Sequence, residues 1–589
     1  LYLPNIAAVA AAAAHIPVDL KHPNRVLLSG LFRETAQVNK TPRDFLTYIP
    51  EALEYCSPCL VTALPSGTTA ETYLESSGLK QFAEQNRIFL HLLYPQETMW
   101  NHNELDADYV NAVYVTIQAR DYYITQQDNI YACGIGDAAD IVHMAAKKMA
   151  SEWSGIITIG DLTVDVTVFS NSSHGEEEQG QLELKIQGSK AQLPVWMQIS
   201  HNQTFNQKAV DYWKEQNHVT EQPLQGNGAD YIWSPTPVRI HQEINEEYIA
   251  QVRLRIAEEP FSVNTLDIAW KYISMARRHR GQGQKCLRYY KDPSALGAVR
   301  KTMEIDGMVR TWYEYRPSAC TDDKKWPLVV VMHGRGGSAE TFFDMSGMSL
   351  VAEARHFIAV FPESGIHQQK KNGLKNVLLW CGSYEGNPID DMKFIRLMVN
   401  DIEQRHPIDH GRIYACGQSS GGMMSDMLSY GASDLFAAVA PWSALRSPSR
   451  MSITYPETPG LTPTMLLFGN HDFVCAGKEY DPVLHLALDP EIHGIVMEKI
   501  QKYRLDPKNI QIWDTYPISW RSFPNSQGIP MLVIGIIDNM VHANYPEESW
   551  ISYDQFLSKF SRNENGILCY CQNVVEDDIC SQTNNYKEK

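Results

Sequence analysis

The sequence has no apolar run of about eighteen residues or more, so no segment is long enough to cross a membrane as a helix. It has no extended basic stretch either, and its formal net charge is −18, which disfavours nucleic acid as a partner. Only one C-x-x-C pair occurs, Cys56 and Cys59, whereas a structural zinc site usually combines two such pairs. We therefore expect no membrane span, no nucleic-acid partner and no metal site.

The composition is that of a globular protein, with 44% hydrophobic and 20% charged residues in a chain of 589. This length exceeds that of an ordinary single domain, so two domains are expected. The basic cluster that begins at Arg277 is followed by Gly281 and Gly283, and we interpret it as a solvated linker. The boundary is predicted near Gln284 to Ala298, which divides the chain into residues 1–285 and 286–589.

A short motif occurs twice, once intact and once altered. Tyr414 to Gly421 reads Y-A-C-G-Q-S-S-G, and Tyr131 to Ala138 reads Y-A-C-G-I-G-D-A. The first copy fits the G-x-S-x-G nucleophile elbow, with Ser419 at its centre and a glycine two residues to either side. In the second copy the serine position is Gly136, which carries no nucleophile. The chain is therefore predicted to contain two related domains, of which only the second keeps a nucleophile.

The residues around the intact motif predict a buried strand that turns sharply into a helix. The strand is expected over Arg412 to Cys416 and the helix over Met423 to Leu428. Such a turn exposes the serine hydroxyl at the end of the sheet. The helix N-terminus supplies N–H groups and a positive dipole end for a developing oxyanion, and the backbone N–H of Ser420 is one candidate donor.

A second strand is predicted at Leu328 to Met332 (L-V-V-V-M), which is apolar throughout, as a strand buried on both faces should be. It ends in the H-G-x-G-G loop that begins at His333, the usual partner of a nucleophile elbow. The backbone N–H of Arg335 would join that of Ser420 in an oxyanion hole. Gly334 lets the main chain approach the substrate, and His333 is interpreted as a structural histidine of this loop.

Two more strands end in polar loops that can complete a triad. Thr464 to Phe468 is followed by Asp472, and Met531 to Ile537 is followed by His542. Serine, acid and histidine then occur in the chain order of α/β-hydrolases. His471 is the competing histidine, but it precedes the last strand, so we expect it to border the site. The residues predicted to border the substrate are His333, Gly334, Gln418, Trp442 and His471.

Residues from Val309 to about Phe560 resemble the esterase family of polyhydroxybutyrate depolymerases and related feruloyl and acetylxylan esterases. The resemblance is carried by V-R-T-W-Y-E-Y-R-P, W-P-L-V-V-V-M-H-G-R-G-G and I-D-H-G-R-I-Y-A-C-G-Q-S-S-G-G-M-M. It implies a serine ester hydrolase, secreted or at the cell surface, without a cofactor. The sequence departs from the family at Arg335, where cysteine is frequent, and at Gln418 and Ser420. These departures leave the substrate open between hydroxyalkanoate polyesters and aryl or acetyl esters of polysaccharides. A cytoplasmic location is an alternative to the secreted or surface location that the resemblance implies.

The N-terminal half aligns with the C-terminal half, but the residues predicted to be catalytic are replaced in it. Cys59 to Gly78 matches Leu328 to Gly347, with a shared A-E-T that sets the register. Leu64 and Pro65 replace the start of the oxyanion loop, Asn202 takes the acid position, and no histidine precedes the last helix. This pattern predicts a pseudo-hydrolase domain. It could be a structural partner, a roof over the active site or a module that binds a polymer or glycan.

We therefore predict two tandem α/β-hydrolase domains, each a mainly parallel sheet flanked by helices, arranged as a pseudo-dimer within one chain. The predicted function is hydrolysis of carboxylic esters by Ser419, Asp472 and His542 through an acyl-enzyme. A serine peptidase of the same fold and a non-catalytic binding protein remain alternatives. The oligomeric state is left open.

Overall fold

The computed structural model describes residues 3–6, 18–119, 127–169, 191–200, 203–219, 222–235, 247–279, 286–369, 375–446, 456, 459–544 and 547–576. The N-terminal sheet contains β1 Gly30–Val38, β2 Thr41–Ile49, β3 Cys59–Ala63, β4 Phe89–Leu93, β5 Ile130–Ile135, β6 Gly155–Ile159, β7 Val195–Ile199, β8 Leu224–Gly226, β9 Ala229–Trp233 and β10 Val252–Ile256. A hairpin follows, formed by β11 Ala276–His279 and β12 Cys286–Tyr289.

The C-terminal sheet is built from β13 Val299–Ile305, β14 Met308–Tyr315, β15 Trp326–Met332, β16 Ile358–Pro362, β21 Ile408–Gln418, β22 Ala438–Trp442, β23 Thr464–Gly469, β26 Gln511–Thr515, β27 Ile518–Pro524 and β28 Pro530–Ile537. Short strands outside this sheet are β17 Ile366–Gln369, β18 Lys375–Leu378, β19 Ser383–Tyr384, β20 Asn387–Pro388, β24 Tyr480–Asp481, β25 Leu486–Ala487, β29 Phe560–Arg562, β30 Leu568–Tyr570 and β31 Asn573–Val574.

Helices cover the sheets. In the N-terminal half they are α1 Ala70–Ser76, α2 Leu79–Asn86, α3 Glu104–Gln118, α4 Ala139–Lys148, α5 Thr204–Gln216 and α6 Val263–Ile273. In the C-terminal half they are α7 Ala339–Ser346, α8 Met348–Arg355, α9 Asp391–Arg405, α10 Ser420–Gly431, α11 Pro490–Lys502 and α12 Glu548–Ile551. α12 continues as a π-turn, Ser552–Phe556, and a 3-10 turn, Leu557–Lys559.

The two ten-stranded sheets share one topology. The strand order is β1-β2-β4-β3-β5-β6-β7-β10-β9-β8 in the first and β13-β14-β16-β15-β21-β22-β23-β28-β27-β26 in the second. In each sheet the six central strands are parallel, and two antiparallel strands flank them at either edge. This duplication confirms the predicted fold class of two tandem α/β-hydrolase domains.

Burial explains why the central strands form. Every residue of β3, β4, β5, β6 and β7 is buried, and the same holds for β16, β22 and β23. Continuous apolar strands of this kind need helices on both faces, because neither face can contact water without cost. Functional side chains therefore collect beyond the strand ends, at the carboxyl edge of each sheet.

Three arginines of the basic cluster predicted as a solvated linker are instead part of the core, and residues 280–285 lie outside the described part of the chain. Arg277 and Arg278 of β11 and Arg288 of β12 are at most 6% exposed. Arg278 donates to the carbonyl oxygens of Trp153 at 3.0 Å and Ala150 at 2.9 Å. The interpretation was wrong because it assumed that charged side chains are solvated. The Arg278 guanidinium instead donates to carbonyl oxygens that are buried in the core. The boundary at residue 285 stays a prediction.

The two halves contact each other through polar groups, and Ile366 and Leu378 of the C-terminal half also pack into the N-terminal hydrophobic core. Tyr290 donates to Glu340 at 2.5 Å, Asn24 donates to Glu363 at 3.2 Å, and the amide of Val309 donates to the carbonyl oxygen of Leu20 at 2.8 Å. These bonds join segments that precede residue 291 to the sheet and α7 of the C-terminal half. Among the described residues, no helix is both long and apolar enough to span a membrane.

Candidate active site

The predicted nucleophile elbow is present as a sharp turn between a strand and a helix. β21 ends at Gln418, α10 begins at Ser420, and Ser419 between them has φ 53° and ψ −115°. A positive φ is strained for a residue other than glycine, and such strain is concentrated at functional sites. The turn carries the Ser419 hydroxyl to the carboxyl edge of the sheet.

Two glycines allow this turn. A Cβ added to Gly417 would lie 2.4 Å from the carbonyl oxygen of Met332, and one added to Gly421 would lie 2.1 Å from the same atom. Both distances are far below van der Waals contact, so any side chain would push β15, β21 and α10 apart. The motif glycines are therefore required by the packing that positions Ser419.

Ser419, His542 and Asp472 form a continuous chain of hydrogen-bonding contacts. His542 Nε2 lies 2.9 Å from Ser419 Oγ, and His542 Nδ1 lies 2.8 Å from Asp472 Oδ2. Asp472 is fully buried, and its Oδ1 accepts the backbone N–H of Val474 at 3.1 Å. A carboxylate can only accept, so Nδ1 carries the proton, and Nε2 is the acceptor that faces the serine hydroxyl.

The fold brings these residues together because parallel strands end at the same edge. Ser419 follows β21, Asp472 follows β23, and His542 follows β28, which pairs with β23. The loops after β23 and β28 are also bonded to each other. Asn470 donates to Asp538 at 2.7 Å, and the amide of His471 donates to the carbonyl oxygen of Met540 at 3.0 Å.

The two predicted oxyanion donors lie at the turns where the prediction puts them. Ser420 is the first residue of α10, so its N–H has no partner within the helix. Among the described residues, no hydrogen bond uses the amide of Ser420 or that of Arg335. By contrast, the next amide in the loop, that of Gly336, donates to the carbonyl oxygen of Leu378 at 2.8 Å. Both candidate amides can therefore donate to a substrate oxygen.

His333 holds the loop from inside. Its side chain is fully buried, its Nδ1 lies 2.7 Å from the carbonyl oxygen of Gly334, and its Nε2 accepts the amide of Ser364 at 3.0 Å. The indole N–H of Trp380 donates to the His333 carbonyl oxygen at 2.9 Å. A fully buried imidazole cannot touch substrate, so of the two expectations for His333 the structural one fits this geometry.

Gln418 lies beneath Gly334. A Cβ added to Gly334 would lie 2.3 Å from Gln418 Oε1, so this glycine is needed for close contact with the glutamine side chain. Gln418 is 9% exposed, at the floor of the elbow. His471 is partly buried beside the acid loop, and none of the described residues hydrogen-bonds its Nδ1.

The structure does not bring the Trp442 side chain to the substrate side. Its indole is fully buried, packs against Phe342 and donates to Ser552 Oγ at 2.9 Å. Trp442 contacts the elbow through its backbone, where its carbonyl oxygen accepts a hydrogen bond from the amide of Ser419 at 2.9 Å. The expectation that Trp442 borders the substrate fails because the residue lies within β22, where both faces of the sheet are covered.

Phe473 was missed by sequence reasoning. Its ring centroid lies 4.6 Å from that of His542, and the residue is 62% exposed. It is therefore an apolar surface at the mouth of the site. A phenylalanine is usually expected in the core, so its type alone did not indicate a place at the site. Its position directly after the predicted acid Asp472 was the signal that could have done so.

The described thiols next to the elbow and the acid loop, Cys416 and Cys475, do not compete with Ser419 as nucleophiles. Burial raises the pKa of Cys416, two strand residues before Gln418, and it also raises the pKa of Cys475, which follows the acid. Both thiols stay protonated at neutral pH, and a protonated thiol is a poor nucleophile.

The N-terminal half keeps the elbow backbone without the nucleophile. Gly136 follows β5 with φ 62°, close to the φ of Ser419, and a Cβ added to Gly134 would lie 2.7 Å from the carbonyl oxygen of Ala138. The pairing of Ala63 with Gly134 matches that of Met332 with Gly417, so the two elbows are in the same register.

Other elements of the N-terminal site are altered as well. By strand register Ser66 corresponds to Arg335, and its amide donates to Asp137 Oδ1 at 2.9 Å. The amide that would serve as an oxyanion donor is therefore engaged by a carboxylate of the same chain. The loop that links β10 to α6 has no histidine. The predicted replacement of the acid, Asn202, lies outside the described residues.

Part of the C-terminal half is similar to known esterases. Residues 311–450 match the family model described as esterase PHB depolymerase. A feruloyl esterase B from Thermothelomyces thermophilus is 31% identical over 123 residues, which are 21% of this chain and 40% of that protein. A poly(3-hydroxyalkanoate) depolymerase C from Paucimonas lemoignei is 30% identical over 119 residues, which are 20% of this chain and 27% of that protein.

The chain thus spans less than half the length of these relatives. Among solved structures, an acetyl xylan esterase from Aspergillus awamori aligns with 44% of this chain and 99% of its own, at 14% identity and a TM-score of 0.32. The resemblance inferred from the motifs is confirmed by the family match. Residues 311–450 of this chain are thus similar to the esterase family of PHB depolymerases and to feruloyl esterases.

Proposed function

We propose that this protein is a serine hydrolase of carboxylic esters, with Ser419 as nucleophile, His542 as general base and Asp472 as the group that orients His542. The observation that carries the proposal is the chain of contacts from Ser419 Oγ through the imidazole to the buried Asp472 carboxylate. The backbone amides of Arg335 and Ser420 are proposed as the oxyanion donors.

In the first step Ser419 Oγ attacks the ester carbonyl carbon as its proton passes to His542 Nε2. The carbonyl oxygen becomes an oxyanion that accepts the amides of Arg335 and Ser420. The C–O bond to the alcohol then breaks, and His542 returns the proton to the departing alkoxide. Asp472 stabilises the imidazolium formed in between, without taking its proton.

In the second step water attacks the acyl-enzyme. His542 accepts a proton from this water, the second oxyanion forms in the same place, and its collapse breaks the bond to Ser419 Oγ. The proton returns to the serine, and the carboxylic acid leaves. No cofactor takes part in this scheme.

We propose two substrate classes, polysaccharides that carry feruloyl or acetyl esters and hydroxyalkanoate polyesters. The names of the similar proteins support both classes. Phe473 favours an ester with an apolar or aromatic acyl group, because its exposed ring lies against His542 and offers a flat apolar contact.

The test is a release assay that compares the wild type with Ser419→Ala. The panel holds a short p-nitrophenyl ester, methyl ferulate, acetylated xylan, a hydroxybutyrate oligomer and a peptide anilide. We expect ester cleavage that falls by at least about 10³-fold in Ser419→Ala, because the nucleophile is lost.

Ser425→Ala is the matched control. Ser425 lies in α10 and donates to the carbonyl oxygen of Gly421 at 2.8 Å, so it undergoes the same chemical change away from the triad. Cleavage that survives in Ser419→Ala would contradict the proposal. Cleavage of the anilide alone would indicate a peptidase, and no cleavage at all would favour a binding protein.

A further inference from the structure

A cavity of about 350 Å³ opens at the carboxyl edge of the N-terminal sheet. Gly136 and Pro65 line it, and these residues correspond by strand register to Ser419 and Gly334 of the other half. The loop after β10 lines one side of the cavity. In the C-terminal half the corresponding loop, after β28, carries His542. The N-terminal half has therefore lost a nucleophile but retains a concave site of a size that holds a small ligand.

We propose that this cavity is a binding site for a saccharide or a sugar-like polyol. The inference concerns the N-terminal half alone, and it does not rest on the hydrolytic function proposed for Ser419.

Gln198 provides a buried acceptor that needs a donor. Gln198 lines the cavity and is 2% exposed. Its amide group donates through Nε2 to the carbonyl oxygen of Glu259 at 2.9 Å, whereas none of the described residues donates to its Oε1. A buried polar atom without a partner costs about 1–3 kcal/mol, so a ligand that donates a hydrogen bond here recovers that cost.

The charged groups at the cavity already have partners or lie at its rim. The carboxylate of Asp161, which also lines the cavity, accepts the amide of Ser200 at 2.9 Å, the Ser200 hydroxyl, and Asn206 Nδ2 at 2.9 Å. Glu258 and Glu259 are exposed at the rim. The buried acceptor is thus a neutral amide, which suits a hydroxyl group. An ammonium group would instead be attracted by the carboxylates of Asp161, Glu258 and Glu259, and putrescine in the test measures that alternative.

Part of the cavity wall is apolar. Tyr73 and Phe261 both line the cavity, with ring centroids 6.1 Å apart, and Ile135 and Ile159 extend the apolar surface. A sugar ring has the matching character, because its C–H face packs on an aromatic side chain while its hydroxyl groups donate to amide and carboxylate oxygens.

The test measures binding to the full chain carrying Ser419→Ala, in which the proposed nucleophile is absent. Xylohexaose, putrescine and a hydroxybutyrate trimer are titrated separately by isothermal calorimetry. We expect binding of xylohexaose alone, with a weakening of about tenfold or more when Gln198→Leu removes the buried acceptor. Phe261→Ala, a change at a half-buried loop residue, should weaken binding independently.

Gln207→Leu is the matched control, since Gln207 lies on α5 and bonds Asp211 at the surface. Thermal unfolding of each variant establishes that it is folded. Absence of xylohexaose binding, or binding that neither Gln198→Leu nor Phe261→Ala weakens, would overturn the proposal. Binding of putrescine with the same dependence on Gln198 would replace the saccharide with a cation. Because binding is read without turnover, failure here is distinct from failure of the hydrolytic function.

Discussion

At the scale of single residues, Ser419 and Gly136 occupy the same backbone position under different constraints. Ser419 has a φ of 53° and Gly136 has a φ of 62°, a region that glycine enters without steric cost. A serine there stores strain of about 1–3 kcal/mol. The C-terminal half tolerates that strain at its proposed nucleophile, and the N-terminal half has a glycine instead.

Replacing Ser419 with glycine should therefore stabilise the protein relative to Ser419→Ala. The strain that glycine relieves is larger than the free-energy cost of its greater entropy in the unfolded chain. We therefore expect the free energy of unfolding to rise by about 1 kcal/mol. Urea unfolding of the two variants measures the difference. A lower midpoint for Ser419→Gly would show that the elbow is not strained.

A second prediction concerns Asp128, which is 5% exposed. Burial raises its pKa to about 6, and Arg277 opposes that rise. Between about pH 4 and pH 6 the folded state keeps a proton that the unfolded chain has released, so this group's contribution to stability falls as pH rises through that window.

Asp128→Asn removes this titration. We expect the unfolding free energy of the wild type, minus that of the variant, to decrease by about 2–3 kcal/mol from pH 4 to pH 6 and to stay constant above. Denaturant titrations at several pH values give the difference. A flat difference would contradict the raised pKa.

The positions of residues that follow a recognisable strand could be predicted from the sequence. The burial of residues that depends on tertiary packing could not. Ser419, Asp472 and His542 each follow an apolar strand, so their common position at one sheet edge could be predicted. The burial of Trp442 and the exposure of Phe473 depend on which helices and loops cover each strand end. A single sequence does not encode that information locally.

At the scale of elements, the helix behind the nucleophile is tied to α11 by a buried ion pair. Lys499 Nζ lies 2.6 Å from Asp426 Oδ1, and both side chains are fully buried. Burial lowers the pKa of Lys499, but Asp426 and two tyrosine hydroxyls raise it by more, so the lysine is charged. Lys499 also donates to Ser429 Oγ at 3.1 Å.

Lys499→Met should destabilise the protein by about 3–5 kcal/mol, because Asp426 is left as an uncompensated buried charge. Adding Asp426→Leu should recover most of the loss. Thermal unfolding of the single and double variants checks this. A double variant no more stable than Lys499→Met would contradict the coupling.

Strands were predicted where burial makes the sequence uniformly apolar. The prediction of Thr464 to Phe468 differs from β23 by one residue, and that of Met531 to Ile537 differs from β28 by one. Edge strand β26 could not be found in this way, because every one of its residues is exposed. Its existence depends on pairing with β27, which is a tertiary property.

At the scale of the whole molecule, one topology is present twice, and the second copy holds the chain of contacts from Ser419 through His542 to Asp472. The shared strand order made the fold predictable, since each half repeats the same sequence of apolar strands and helices. The contacts between the halves were not predictable, because no motif marks the residues that form them, such as the polar pair Tyr290 and Glu340 and the apolar residues Ile366 and Leu378.

Adding Gly136→Ser to Ser419→Ala should restore no hydrolysis. The new serine would have no histidine in the loop after β10, and the Ser66 amide is already engaged by Asp137. Release of p-nitrophenol from a short ester by the double variant measures this. Activity above that of Ser419→Ala would show that the N-terminal half retains a working base.

The central claim, one nucleophile in a duplicated hydrolase fold, is tested most directly by labelling the folded wild type with a fluorophosphonate. Intact-mass analysis and peptide mapping then give the number and position of adducts. The account predicts one adduct per chain, on Ser419, and none in Ser419→Ala. No adduct, or an adduct on a residue of the N-terminal half, would contradict it.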